Sequence, residues 1–89
     1  MELGALYATK RVAEYANQSL LFRVELSIIL SRYCSGDWGE LCKEDREQND
    51  YALIAGGRIM GSYGTCAGKV WIITEWDRSA TTILFPDEY

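Results

Sequence analysis

The chain has 89 residues, of which 48% are hydrophobic and 12% aromatic, and its formal net charge is −4 at pH 7. This composition lies far from that of disordered segments, and the length fits one small domain. Lysine and arginine form no basic patch, which excludes the usual electrostatic footprint of a nucleic-acid-binding protein. We therefore expect one globular domain over residues 1–89 that makes no direct contact with nucleic acid.

The apolar segments predict a cytoplasmic protein. The longest apolar run, Leu20 to Leu30, is interrupted by Arg23 and Glu25, and it is shorter than the roughly 20 residues that span a bilayer. Near the N-terminus Glu2 is present, and no basic stretch precedes an apolar one, so no secretory signal is predicted. Neither a membrane nor a secretory route is expected.

Three cysteines and the absence of histidine restrict the available chemistry. Cys34, Cys42 and Cys66 form an odd set without CxxC spacing, which favours a reducing compartment and a role as small apolar residues over a zinc site. Without histidine the chain lacks the usual general base and the usual catalytic triads. We expect no metal, no cofactor and no catalytic residue, and an enzyme is the less favoured class.

The first third of the chain is expected to be mainly helical. Thr9 is a suitable N-cap for a short helix that ends near Asn17, and Ser19 is a suitable N-cap for a second helix that Gly36 ends. Apolar residues in the second helix recur at intervals of three and four. They form two stripes and predict a helix buried over most of its girth: Phe22, Leu26, Ile29, Leu30 and Tyr33, and Leu20, Leu21, Val24 and Ile28.

A third helix is predicted from Glu40 to Ala55, after a compact turn at 36–39. Its first half is acidic, as the helix dipole favours, and its apolar side is made of Leu41, Tyr51, Ala52, Leu53 and Ile54. The segment 37–50 holds six carboxylates against two cations. Helical spacing places Glu40, Glu44 and Glu47 on one side, so together with Asp37 they are candidate contacts for a basic partner. A plain solvated helix face is the simpler interpretation.

Three strands follow in the last third of the chain, at Arg58–Thr65, Lys69–Trp76 and Thr81–Phe85. Short reversals at 66–68 and 77–80 join them, which predicts an antiparallel meander with 69–76 in the middle. Residues 3–8 read either as a short strand or as an apolar lead-in. The predicted fold class is α+β, with N-terminal helices packed on a C-terminal three-stranded antiparallel β-meander.

Polar residues cluster around the second reversal and form a second candidate binding site. Arg78 offers a fork for a phosphate or a carboxylate. The alternative is a structural turn in which side chains cap the backbone and Arg78 pairs with Glu75 or with a carboxylate of the third helix. The residues of this candidate site are Glu75, Asp77, Arg78, Ser79, Thr81 and Thr82.

Several of these motifs together resemble a family of small bacterial proteins carried on plasmids, phages and integrated elements. The most specific of them is the run WIITE-x-DRS-x-TT over residues 71–82, and the similarity covers roughly residues 30–89. Members often bear labels such as plasmid-related protein or type I restriction subunit, so the resemblance implies a mobile-element accessory protein without implying an activity. The family pattern usually has histidine where this chain has Tyr33.

Two functions from different classes follow. The first is a mobile-element accessory protein that binds a host or competing-element protein, for instance as an anti-defence inhibitor of the anti-restriction or anti-CRISPR type. The second is a small nucleotide-binding or phosphate-binding protein, or a hydrolase, that uses Glu75, Asp77 and Arg78. The absence of histidine and of a phosphate-binding loop favours the first.

Overall fold

The computed structural model describes residues 1–89 and confirms the α+β class. Helices precede most of the sheet, and a 3₁₀ turn at Pro86–Glu88 ends the chain. None of the helices combines the length and the apolar content that crossing a bilayer requires. The elements are β1 (Ala5–Ala8), α1 (Lys10–Gln18), α2 (Leu20–Cys34), α3 (Lys43–Ala55), β2 (Ile59–Thr65), β3 (Gly68–Thr74) and β4 (Ala80–Leu84).

The sheet has four strands in the order β1-β4-β3-β2, so the prediction of a three-stranded meander is wrong. β2, β3 and β4 are antiparallel neighbours, with β3 in the predicted middle position between the other two. The fourth strand, β1, lies parallel to β4 with Ala5 opposite Ala80. Of the two readings of residues 3–8, the short strand is thus confirmed, although all four residues of β1 are exposed and the sequence gives no indication of their pairing with β4.

Hydroxyl groups cap the first two helices where the sequence predicts them. The Thr9 side chain accepts a hydrogen bond from the Val12 amide at 3.3 Å, and the Ser19 side chain accepts one from the Phe22 amide at 3.1 Å. Each bond satisfies a first-turn N–H group that has no partner within its helix. α1 and α2 therefore meet at Ser19 with almost no linker between them.

α2 buries one of its two apolar stripes, so the prediction that it is buried over most of its girth is wrong. Phe22, Ile29 and Tyr33 belong to the single apolar core that the helices share with the sheet. The other stripe, Leu20, Leu21, Val24 and Ile28, is exposed. A chain of this size buries only about 60% of its unfolded surface, and no other element of residues 1–89 covers the outer side of α2.

The outer edge of β2 is covered by the chain's own backbone and side chains. The Ser62 amide donates to the Trp38 carbonyl at 3.1 Å, and the Glu40 amide donates to the Ser62 carbonyl at 2.7 Å. Two residues before Ser62, the Asn49 side chain donates a hydrogen bond to the Met60 carbonyl and accepts one from the Met60 amide. An open strand edge is a template for unwanted pairing, and these contacts close it.

A chain of three hydroxyls crosses the buried core. Thr81 donates to the Leu3 carbonyl at 2.7 Å, Thr74 lies 2.8 Å from Thr81, and Tyr33 lies 2.7 Å from Thr74. Each hydroxyl has one proton, so with Thr81 donating to Leu3, Thr74 donates to Thr81 and Tyr33 donates to Thr74. The 3.2 Å contact from the Tyr33 hydroxyl to the Ile59 carbonyl shares that same Tyr33 proton, as the longer arm of a bifurcated bond. The N-terminal segment, three strands and α2 are thereby linked.

Removal of the Thr81 hydroxyl should destabilise the fold. Thr81→Val leaves the Leu3 carbonyl and the Thr74 hydroxyl without their partner, which we expect to cost about 1–3 kcal/mol in the free energy of unfolding. Thr82→Val is the matched control, since Thr82 makes no side-chain hydrogen bond, and it should change that free energy by less than about 0.5 kcal/mol. Chemical denaturation measures both variants, and equal effects would contradict the hydroxyl chain.

Two glycines before α3 should respond differently to alanine. Both have positive φ, 74° at Gly39 and 87° at Gly36, but a Cβ at Gly39 would lie 2.0 Å from the Ser62 carbonyl oxygen, whereas one at Gly36 meets nothing within 4 Å. Gly36→Ala should therefore cost only the backbone strain of about 1–2 kcal/mol. Gly39→Ala should cost more in a denaturation experiment, because it also breaks the cover of β2. Similar costs for both variants would count against this contact.

Candidate protein-binding surface

α3 begins at Lys43, three residues later than predicted, and this separates two of the candidate acidic residues. Glu40 lies on the segment that covers β2, with its amide bound to Ser62, so the prediction that Glu40 shares a helix face with Glu44 and Glu47 is wrong. Glu44 and Asp45 occupy the first turn of α3. A negative charge there is favoured by the unsatisfied amides at the helix N-terminus.

Polar contacts fasten the inner side of α3 to the rest of the chain. The Asn49 side chain donates to the Met60 carbonyl at 2.7 Å and accepts from the Met60 amide at 3.3 Å. The Trp38 indole donates to the Asp50 carboxylate at 3.0 Å. Only Asn49 and Ala52 of this helix are buried. α3 is therefore attached to a strand edge and does not lie on the sheet by an apolar face.

The outer side of α3 carries acidic and apolar residues in one row. Glu44, Glu47, Tyr51 and Ile54 follow each other at intervals of three, four and three, which places them on one face of the helix. Tyr51 is 71% exposed and Ile54 is 90% exposed. The predicted apolar side of this helix was expected to pack inward, and for Tyr51, Leu53 and Ile54 that expectation is wrong. We call these four residues the outer face of α3.

The acidic segment has fewer free carboxylates than its sequence indicates. Asp37 pairs with Arg32, Glu40 lies 4.0 Å from Lys69, and Glu47 lies 3.9 Å from Lys43. Glu44 and Asp45 form no ion pair. Because the Glu40 and Glu47 pairs are long and exposed, they leave these carboxylates accessible to a partner. The carboxylates that remain close together are those of Glu44, Asp45 and Glu47 in the first two turns of α3.

Asp37 has a structural role at the turn after α2. Its carboxylate accepts hydrogen bonds from Arg32 Nε at 2.7 Å and Nη2 at 3.2 Å, and from the Gly39 amide at 3.1 Å. The Arg32 bond and then the Gly39 amide hold the pKa of Asp37 below its ordinary value. The sequence-predicted binding residue Asp37 thus fixes the turn that leads to α3.

The turn at 75–82 does not assemble a pocket from its six candidate residues. The Asp77 carboxylate accepts from the Ser79 amide at 3.0 Å, and hydrogen bonding to Ser79 holds the pKa of Asp77 below its ordinary value. Thr81 is buried in the core, and Thr82 lies on the opposite face of β4. Glu75 closes the turn through its backbone, since its amide donates to Ala80. These groups point in different directions.

Arg78 binds backbone carbonyls, so the predicted ion pair with Glu75 or a helix carboxylate is wrong. Its guanidinium donates to Gly57 at 2.6 Å, to Ala52 at 3.0 Å, to Glu75 at 3.1 Å and to Trp76 at 3.2 Å. Ala52 lies in the last turn of α3, where the helix dipole favours a cation. Arg78 thus ties the end of α3 to the β3–β4 turn. The spacing of apolar residues in the sequence does not indicate that Arg78 binds the end of α3.

The cysteines do not fill apolar space as expected. Cys34, Cys42 and Cys66 are all exposed. Cys66 lies in the β2–β3 turn, where its amide donates to the Glu25 carboxylate at 2.9 Å, and hydrogen bonding to Glu25 raises the pKa of the Cys66 thiol. No group of three or more histidine, cysteine, aspartate or glutamate side chains is arranged to hold a metal ion.

Comparison with models of protein families, with curated proteins and with solved structures finds no match to this chain. The resemblance to mobile-element proteins therefore stays an expectation from the sequence.

Loss of the Arg78 side chain should loosen the end of α3. Arg78→Ala leaves carbonyls without their donor, and we expect a cost of about 1–3 kcal/mol in the free energy of unfolding. Arg78 has φ of 61°, so Arg78→Gly should cost about 1 kcal/mol less than the alanine variant. Arg46→Ala is the control, since Arg46 is exposed and its side chain forms no hydrogen bond and no ion pair. Denaturation curves that do not separate the three variants would contradict this role.

The Arg32 contact should set the acid titration of Asp37. Because the folded pKa is lowered from 3.8, the pair stabilises the fold above that pH, and the contribution is lost as the pH falls through the lowered value. Arg32→Ala should raise the pKa of Asp37, measured by carboxyl NMR titration. Arg23→Ala, whose guanidinium binds only the Ala16 carbonyl, should leave it unchanged. An unaltered pKa in Arg32→Ala would rule out the pair as its cause.

Proposed function

We propose that this protein acts by binding another protein through the outer face of α3. The observation that carries the proposal is the row of Glu44, Glu47, Tyr51 and Ile54, which no other part of the chain covers. Tyrosine is among the residues that dominate binding energy at protein interfaces, and large apolar side chains that are this exposed commonly mark such a surface.

The charge of this surface favours a basic partner. The acidic end of the face lies at the helix N-terminus and the apolar end lies toward Ala55, so a fitting partner presents lysine or arginine beside an apolar recess. Opposite charges steer the approach of the two proteins and raise the association rate, while the buried apolar contacts slow dissociation. The net charge of −4 strengthens the same steering.

The partner belongs, on this proposal, to the host or to a competing element. The sequence resemblance supports a mobile-element accessory protein in the cytoplasm, and inhibition of a defence protein, in the anti-restriction or anti-CRISPR manner, is the role that such a binding surface fits. Proteins that handle nucleic acid carry basic grooves, to which an acidic helix is complementary. No direct contact of this chain with nucleic acid is proposed.

Nothing favours the alternative of a phosphate-binding protein or hydrolase at the 75–82 turn. Both terminal nitrogens of the Arg78 guanidinium already donate to carbonyls, and the Asp77 carboxylate accepts a hydrogen bond within the turn. A phosphate would have to displace these contacts before Arg78 could receive it.

Capture from a bacterial lysate tests the proposal when variants are compared. The immobilised wild-type chain should retain a protein that the Glu44→Gln/Glu47→Gln double variant retains at least tenfold less at low salt, because electrostatic steering is lost. Tyr51→Ser/Ile54→Ser should lose it at any salt, because the apolar contact is gone. Glu14→Gln is the matched control, since Glu14 forms the same exposed i,i+4 pair with Lys10 that Glu47 forms with Lys43.

All variants change exposed side chains, so their melting temperatures should match that of the wild type. A retained protein that ignores both double variants and salt would place binding elsewhere on the molecule and contradict the assignment of the outer face of α3.

A further inference from the structure

The exposed stripe of α2 is a second apolar surface, separate from α3. Leu20, Leu21, Val24 and Ile28 are 48–68% exposed. Their side chains together leave roughly 400 Å² accessible, which is within the range of about 300–600 Å² for the largest apolar patch on a monomer. All four lie on the side of α2 opposite Phe22 and Tyr33, which enter the core.

We propose that this stripe pairs with the same stripe of a second copy of the chain, so that the protein forms a two-fold symmetric dimer through α2. The stripe is self-complementary. Leu20, Val24 and Ile28 lie four residues apart in one row, so an antiparallel copy centred on Val24 places Leu20 opposite Ile28 of the other copy and Val24 opposite its own equivalent. Rows of this spacing pack into each other's grooves at a crossing angle of about 50°.

The residues around the stripe allow two helices to approach. Ser27 and Ser31 lie beside Val24 and Ile28 on the same outer side of α2, and both are small and exposed. The charged residues of α2 are Arg23, Glu25 and Arg32, a net of +1 by their formal charges. The excess negative charge of the chain therefore lies outside α2. When two copies pair through α2, their acidic regions are not forced into contact.

The area is sufficient for a weak, reversible dimer. Two stripes bury at most roughly 800 Å², which is below the roughly 1,200–2,000 Å² of stable interfaces and corresponds to a weak association. The dimer would present two outer faces of α3, which increases the avidity for a partner that carries two sites. This inference does not depend on the function proposed above, because it uses a different helix.

Sedimentation equilibrium over a range of concentrations tests the dimer. The weight-average mass should rise from the monomer value of 10.1 kDa toward about 20 kDa as the concentration of wild-type chain increases from about 1 to 500 µM. Val24→Glu should hold the mass at the monomer value over the same range, because each new carboxylate would meet its equivalent at the two-fold axis.

Leu53→Glu is the matched control, since it places the same charge on an apolar residue of α3 that is 44% exposed, close to the 48% of Val24, and its dimerisation should equal that of the wild type. Circular dichroism melting should show Val24→Glu folded, because Val24 is half-exposed and glutamate is a better helix former than valine. A wild-type chain that stays monomeric at about 500 µM would overturn the proposal, as would a dimer that survives Val24→Glu. A dimer that is lost in Leu53→Glu but kept in Val24→Glu would place the contact on α3 instead.

Discussion

The surface of this protein depends on the way α3 is attached to the edge of the sheet. The buried Asn49 amide takes the place of a neighbouring strand at Met60, and Arg78 holds the other end of the helix through the Ala52 carbonyl. These polar contacts satisfy an open strand edge and the last turn of a helix at once. Because α3 needs no apolar stripe for its attachment, Tyr51 and Ile54 remain free on its outer side.

Local signals in the sequence predicted much of the fold. Hydroxyl residues at Thr9 and Ser19 marked the helix starts, because their caps depend on neighbours only two or three residues away. The turn at 77–80 and the alternation around it likewise located β3 and β4 within one or two residues. The α+β class followed from this order of elements.

The remaining features depend on contacts between residues far apart in the chain. β1 pairs with β4 across more than 70 residues and has no buried residue to reveal it. The sequence showed two apolar stripes on α2, but only the three-dimensional packing decides which of them is covered. Arg78 and Thr81 looked like one polar site, although Arg78 binds carbonyls and Thr81 belongs to the buried hydroxyl chain. Neighbouring positions in sequence therefore served different roles.

Amide hydrogen exchange in an Asn49→Ala variant tests the central claim most directly. If Asn49 fastens α3, its loss should speed exchange across 43–55 by about tenfold or more while β3 stays protected, since 1.4 kcal/mol of local stability corresponds to a factor of ten. Gln48→Ala, an exposed neighbour, should leave the exchange rates of both elements unchanged. If α3 in Asn49→Ala keeps the protection of the wild type, the attachment of this helix does not depend on Asn49, and the account is contradicted.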